Sequence, residues 1–431
     1  MSKFQELPFE SDCTTVRRRI IGDQPAPKIN YSIAYATNVY TDYESLAIQL
    51  SATYSPENHY CYHVDSKATP KFKKQILKLQ QCFPNIYVTK AQYDVTSQGR
   101  NNNIAHLRCM RILLTKKRWE YLITLQAHDV VVHTNLELSK MLKLLDGTND
   151  FNIGSVLWNR IPKTATFFIR NLNLWTKDTR LSDLQRQRAK LELARGLEEA
   201  TFMRSAVRWM VKEVNITTLM HTFNGGSHSV DEQLFASLAV SEKLQMPGGY
   251  HSACLKNRDP NKFFTHTRWV WEGHPNCHRR HDVCLYGIED LYQARKTARR
   301  YIALNKFMGS WDFAATVCMA ESLYNRTHFG EEAFDAKYIA NHSGRSTWVH
   351  SRWLVEIQVF NQRTVNGTIS SAKFVSSFAN SFKETDHKTL HIEENGRKHC
   401  DYNLSQVIAR RKKERNIPNL TCHPSAEEKK F

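Results

Sequence analysis

Tyr31-Ser32-Ile33-Ala34-Tyr35-Ala36, the run from Tyr43 to Thr53, and His59-Tyr60-Cys61-Tyr62-His63-Val64-Asp65 decide the fold. The first and third are short apolar stretches, the pattern of strands buried on both faces, and the run between them reads as a helix. The unit then repeats. A Lys-rich amphipathic helix runs through Leu79, and Asn85-Ile86-Tyr87-Val88-Thr89 is a third strand. Asn103 to Thr115 is a helix with Ile104, Leu107, Met110 and Leu114 on one face; Tyr121 to Leu125 is a fourth strand and Leu136 to Leu145 another helix. Repeated βα units predict an α/β fold with a parallel sheet covered by helices on both faces.

Beyond Asp150 the pattern loosens. Trp158 to Gly196 reads as basic and helical, and Thr201 to Thr222 as one amphipathic run. His266 to Asp290 is dense in aromatic, His and Arg residues, and Leu304 to Phe307 introduces a last helix ending near Leu323. From about Thr327 onward, polarity, sequons and a charge run predict a separate appendage or a partly disordered tail.

With 41% hydrophobic and 11% aromatic residues among 431, the chain can bury a core, which excludes wholesale disorder. The net charge of +18 suits polyanions such as nucleotide diphosphates, acidic glycans, nucleic acid or anionic membranes. Its clusters, Arg180 to Arg195 and Arg410 to Arg415, are equally the pattern of solvated helix faces. No recognition-helix or zinc-finger pattern supports a nucleic-acid partner. The 10 cysteines include no C-x-x-C pair of zinc-ribbon spacing. Glycosylation sequons at Asn30, Asn215, Asn325, Asn341, Asn366, Asn403 and Asn419 lean towards the secretory pathway. Against that, no run of ~18 apolar residues could span a bilayer, and Met1 to Glu10 lacks a signal-peptide core. Either the protein is cytosolic or the chain lacks its native N-terminus.

Ligands of parallel sheets bind beyond the carboxyl ends of the strands. That rule selects Asp65, Ser66 and Lys67 after the second strand, and His128 and Asp129 after the fourth. Asp65 could accept hydrogen bonds from a uracil or a ribose; the plainer alternative is that it caps the next helix. No G-x-G-x-x-G or Walker sequence follows these strands, so phosphates would be held by side-chain cations. Ser229 to Leu238 opens with Asp231 and Glu232 on an apolar, helix-like run. A carboxylate fixed at that point suits a proton-abstracting base, and Glu232 is the candidate; simple helix capping is the alternative.

These residues, in this order, resemble the core-2/I-branching β-1,6-N-acetylglucosaminyltransferase family, which also holds peptide O-xylosyltransferases. Tyr60-Cys61-Tyr62-His63-Val64-Asp65-Ser66-Lys67 looks like its Y-C-x-H-V-D-x-K. Trp119 to Leu125 with Asp129 and Thr134-Asn135 is similar to its W-x-Y-x-I-N-L segment. Val230-Asp231-Glu232 stands in place of S-P-D-E; Cys284-Leu285-Tyr286-Gly287, Asp290-Leu291 and Asn305-Lys306-Phe307 resemble C-I-F-G-x-G-D-L and N-K-F. The resemblance covers roughly Ser11 to Asn325. It implies a GT-A-like fold, an N-terminal segment 1–29, a catalytic domain 30–326 and an appendage 327–431. It also implies inverting transfer from UDP-GlcNAc to a glycan or glycoprotein acceptor, without divalent metal or other cofactor and with Glu232 as base.

The donor site implied is Ala34, Tyr35, Ala36, Asp65, Ser66 and Lys67, with cations against the diphosphate. Lys306 matches one family cation. For the other, counting from Cys284 lands on His281, whereas Arg280 is one residue earlier and is expected to reach in. The acceptor site implied is Asn152, Arg160, Lys163, Trp269 and Trp271; Asn152 stands where the family has an acid, so the acceptor can differ. Implied disulfides are Cys13–Cys82, Cys61–Cys109 and Cys277–Cys284, while Cys318 is expected to lack its partner. The family is anchored in the Golgi membrane by one N-terminal helix, facing the lumen, and that anchor is absent from this sequence. Xylosyl transfer and an inactive glycan-binding relative remain the alternatives.

Overall fold

The computed structural model describes residues 12–22, 26–145, 147–175, 188–250, 268–270 and 277–330. Four strands are laid down as the apolar runs dictate: β1 (Ser32–Val39), β2 (His59–Val64), β3 (Ile86–Val88) and β4 (Trp119–Gln126). β1 pairs in parallel with β2 and β4, and β2 with β3. The helices α2 (Tyr43–Thr53), α3 (Pro70–Cys82), α4 (Asn102–Leu114) and α5 (Asn135–Leu144) alternate with these strands. Side chains alternate along β1, so Ala34 and Ala36 join a core with α4, while Ile33, Tyr35 and Val39 join one with α2 and α3. The sheet is thus covered on both faces, as an α/β fold of GT-A type requires.

Several elements depart from the sequence expectations. α1 (Cys13–Ile21) was not anticipated, because only Val16 and Ile20 are buried along it. The Asp12 side chain caps its start by accepting from Thr15 N–H at 2.8 Å. The Cys13–Cys82 disulfide ties it to the end of α3, and Cys61–Cys109 ties β2 to α4. Bridges closing loops of 69 and 48 residues each stabilise by about 4 kcal/mol in the chain-entropy account.

Thr201 to Thr222 is not one amphipathic helix. It opens with β6 (Thr201–Met203), antiparallel to β4 at the sheet edge, continues as short helical turns, and ends in the helix Thr217–Asn224. Trp158 to Gly196 is also less helical than expected. Its described part holds a single 3₁₀ turn at Trp158–Arg160, the short helix Ile169–Leu172, and bridges such as Phe168 with Lys190.

A second sheet joins β5 (Val130–Val131), β10 (Ala303–Asn305) and β7 (Arg268–Val270), with β10 central. β8 (Arg279–Arg280) and β9 (Val283–Cys284) form a hairpin. The last helix, Gly309–Phe329, runs six residues past the expected end near Leu323 and breaks from helical geometry at Asp312. Arg326 fixes its C-terminal part by donating to both oxygens of the buried Glu137 carboxylate at 2.9 Å. Cys318 on this helix is disulfide-bonded rather than orphaned; its partner falls outside the described residues. Among the described residues no helix is long and apolar enough to cross a membrane. The expected appendage lies almost wholly outside them.

Candidate active site

Glu232 ends the 3₁₀ turn Val230–Glu232, directly before the helix Leu234–Val240, every residue of which is buried. That helix packs Leu234, Phe235 and Leu238 into the α4-side core, so the turn sits at a fixed depth. The turn is also clamped from the side. Val230 N–H donates to the Gln98 carbonyl at 3.0 Å, Asn103 Nδ2 to the Asp231 carbonyl at 3.1 Å, and Asn102 Nδ2 to the Asp231 carboxylate at 2.8 Å. Asn102 in turn holds Asn38 at the end of β1. The Asp231 carboxyl rests on Gly99, where a Cβ would lie 1.9 Å from Oδ1.

Asp231 is therefore a buried clamp and Glu232 the carboxylate that keeps access, its side chain 20% exposed. Burial and the neighbouring Glu198 raise the proton affinity of both groups, with Asp231 pushed up to about 7. An ion pair between Arg160 Nη1 and Glu232 Oε2 opposes the rise. Gly99→Ala, which adds that Cβ at a φ of +83°, is expected to displace the turn. Turnover should fall by up to about 10²-fold, since 1 Å of misplacement can cost that much. Initial rates check this; unchanged turnover would mean that the clamp does not set Glu232.

At the carboxyl ends of β1 and β2 the side chains are of another kind. Tyr40 is hydrogen-bonded to His128 Nε2 at 2.9 Å. Burial, then the charges of Lys306 and Arg280, push the His128 imidazole down to about 4, so it is neutral. Lys306 follows β10 and donates to the Arg280 carbonyl at 3.4 Å. Its position is set by Asn305, whose Nδ2 donates to Asp129 Oδ1 at 2.9 Å. Asp129 also accepts the Gln126 N–H at 2.6 Å, which joins the end of β4 to β10.

Arg280 and His281 stand on the β8–β9 hairpin, whose two tip residues, His281 and Asp282, have left-handed φ of 50° and 62°. The Cys277–Cys284 disulfide closes its base. Burial, then Lys306 and Arg280, lower the proton affinity of His281, which leaves Lys306 and Arg280 as permanent cations beside it. Paired cations at a sheet's end suit a diphosphate.

The sequence profile described as Core-2/I-Branching enzyme matches residues 33–295. The chain belongs to that family. It is a glycosyltransferase of the branching type. It is 25% identical over 346 residues to the rat beta-1,3-galactosyl-O-glycosyl-glycoprotein beta-1,6-N-acetylglucosaminyltransferase 3, covering 76% of each chain. A human beta-1,3-galactosyl-O-glycosyl-glycoprotein beta-1,6-N-acetylglucosaminyltransferase is 27% identical over 347 residues, 74% of this chain and 77% of that one. Its Bovine herpesvirus 4 counterpart is 27% identical over 326 residues, 71% and 70% of the two chains.

Within this branching-type glycosyltransferase the expected site residues do not all converge. Ala34, Tyr35 and Ala36 need correction: they sit mid-strand and at most 3% exposed, packed into the two cores, and cannot touch a ligand. Asn38 and Tyr40 stand at the strand's carboxyl end instead, bonded to Asn102 and His128, and the strand-end rule was the signal for them. Asp65 does not cap α3, which is capped by Thr69. Its carboxylate accepts from Lys67 N–H at 2.7 Å and Val95 N–H at 3.0 Å, holding the loop after β2. Ser66 is exposed beside it, and Lys67 pairs with Asp94.

Arg160 lies on Glu232, while Lys163 is exposed further along the same loop. The Asn152 carbonyl lies against Gly196, whose N–H donates to the Glu232 carbonyl at 2.7 Å. Trp269 is paired through β7 with Leu304, two residues before Lys306; Trp271 lies outside the described residues. The sequence reading missed Glu198. Its carboxylate takes a hydrogen bond from Gln126 and raises the proton affinity of Glu232. An acidic pair, Glu198-Glu199, opening an apolar run was the available sign.

Proposed function

We propose that this glycosyltransferase moves GlcNAc from UDP-GlcNAc to a hydroxyl of a glycan or glycoprotein acceptor, forming a β-1,6 linkage with inversion and without a divalent metal. The observation that carries the proposal is Glu232: a clamped, partly open carboxylate whose proton affinity is raised by burial. It removes the acceptor proton as the oxygen attacks the anomeric carbon from the face opposite UDP. No covalent intermediate is needed, so one carboxylate suffices. Arg160, paired with Glu232, orients it and gives way as the acceptor hydroxyl arrives.

On the donor side, Lys306 and Arg280 neutralise the diphosphate as it departs, which is work that a metal ion does elsewhere. Asp65, Ser66 and Lys67 lie towards the uridine. The sequons and disulfides favour the oxidising secretory pathway, and the family resemblance favours the Golgi lumen. Radiolabelled UDP-sugars tested against a glycan panel in EDTA address the proposal. Transfer of GlcNAc in EDTA is expected; activity restored only by manganese, or transfer of xylose instead, would overturn the metal or donor assignment.

A further inference from the structure

Trp158 is 66% exposed. A lone exposed ring needs no explanation, but Trp158 opens the 3₁₀ turn whose last residue, Arg160, pairs with Glu232. This loop is held rigidly. Ser227 N–H donates to the Arg160 carbonyl at 3.2 Å and the Ser227 hydroxyl to the Asn159 carbonyl at 3.2 Å. Gly226 lies so close that a Cβ there would meet the Arg160 carbonyl at 2.2 Å.

Past Arg160 the same loop becomes one wall of a cleft of about 390 Å³, a volume in the range of small-molecule sites. Pro162, Thr164 and Thr166 line that wall, and Thr218, His221 and Thr222 of the helix Thr217–Asn224 line the other. Among the described residues the lining holds hydroxyl and amide groups and neither Lys nor Arg, which suits a neutral, hydroxyl-bearing ligand and not a phosphate. An exposed indole on the loop that goes on to wall such a cleft matches pyranose chemistry, in which the C–H face lies on an aromatic ring and the hydroxyls bond to polar side chains.

We propose that Trp158 and this cleft form an outer acceptor subsite that takes a neutral hexopyranose unit set back from the sugar being glycosylated. The inference rests on the proposed placement of the reacting hydroxyl at Glu232. Initial rates with a single β-galactoside and with a galactose-terminated tetrasaccharide test it. Trp158→Ala is expected to raise KM for the tetrasaccharide about 2–10-fold, leaving its kcat and both parameters for the single sugar unchanged; Trp158→Phe keeps most of the affinity. KM values that move together for both acceptors, or not at all, would overturn the subsite. Should the wild type transfer to neither acceptor, the proposed acceptor class fails on its own. Saturation-transfer NMR with the same tetrasaccharide then decides the subsite. Binding lost in Trp158→Ala supports it, and binding equal in both proteins overturns it.

Discussion

Glu232→Gln is expected to lower turnover by about 10²–10⁴-fold while UDP-sugar affinity stays near the wild-type value. The amide keeps the shape of the side chain and loses only its basicity. In the proposed mechanism the base acts on the acceptor alone, so the proposed donor half of the site, at Lys306 and Arg280, is untouched. The pH profile gives a second check. Burial, then Glu198, raise the proton affinity of Glu232, and Arg160 offsets part of the rise. The base is therefore lost on acidification at a higher pH than an ordinary carboxylate would lose it. Wild-type kcat/KM should fall through that limb, and the residual rate of the variant should lack it. Near-wild-type turnover in Glu232→Gln would remove this residue from the mechanism.

Lys306→Ala should weaken UDP binding and slow transfer together, by about 10²–10³-fold in kcat. In the proposed mechanism the ammonium acts where negative charge develops on the leaving diphosphate, so its loss is felt more in the transition state than in the ground state. Arg280→Ala should act in the same direction, because Arg280 lies beside Lys306 on the disulfide-closed hairpin. His281→Ala should cost less, since burial, and then the same two cations, hold its imidazole towards the neutral form. UDP titration and steady-state rates on the three variants measure this order. A larger loss in His281→Ala than in Arg280→Ala would assign the cation to the hairpin tip instead.

The parallel sheet was legible because its strands are largely buried on both faces and alternate with helices. β1, β2 and β4 appear as apolar runs, and α2 matches its expected limits. β6 was hidden because three residues at a sheet edge leave almost no periodicity, and α1 because only two of its residues are buried. The irregular backbone around Arg160 is held by bridges to distant segments, such as Gly154 with Arg195, rather than by any local pattern.

The candidate site divides along the same line. Glu232 and Lys306 stood out through motifs contained within a few residues. The clamp of Gly99, Asn102 and Asp231 could not, because Asp231 lies more than a hundred residues beyond the other two and meets them only when α4 packs beside the Glu232 turn. Ala34, Tyr35 and Ala36 show the opposite failure. An apolar strand beside a binding site is buried by the sheet that supports the site, and only its carboxyl end is left to meet the ligand.

The anomeric configuration of the transferred sugar tests the single-displacement account most directly. Proton NMR of the product formed from UDP-GlcNAc, in which the sugar is α-linked, should show a β-linked GlcNAc on a primary 6-hydroxyl at the earliest time point. An α-linked product would require retention, and with it a nucleophile or an ion-pair path that Glu232 acting as a base does not provide.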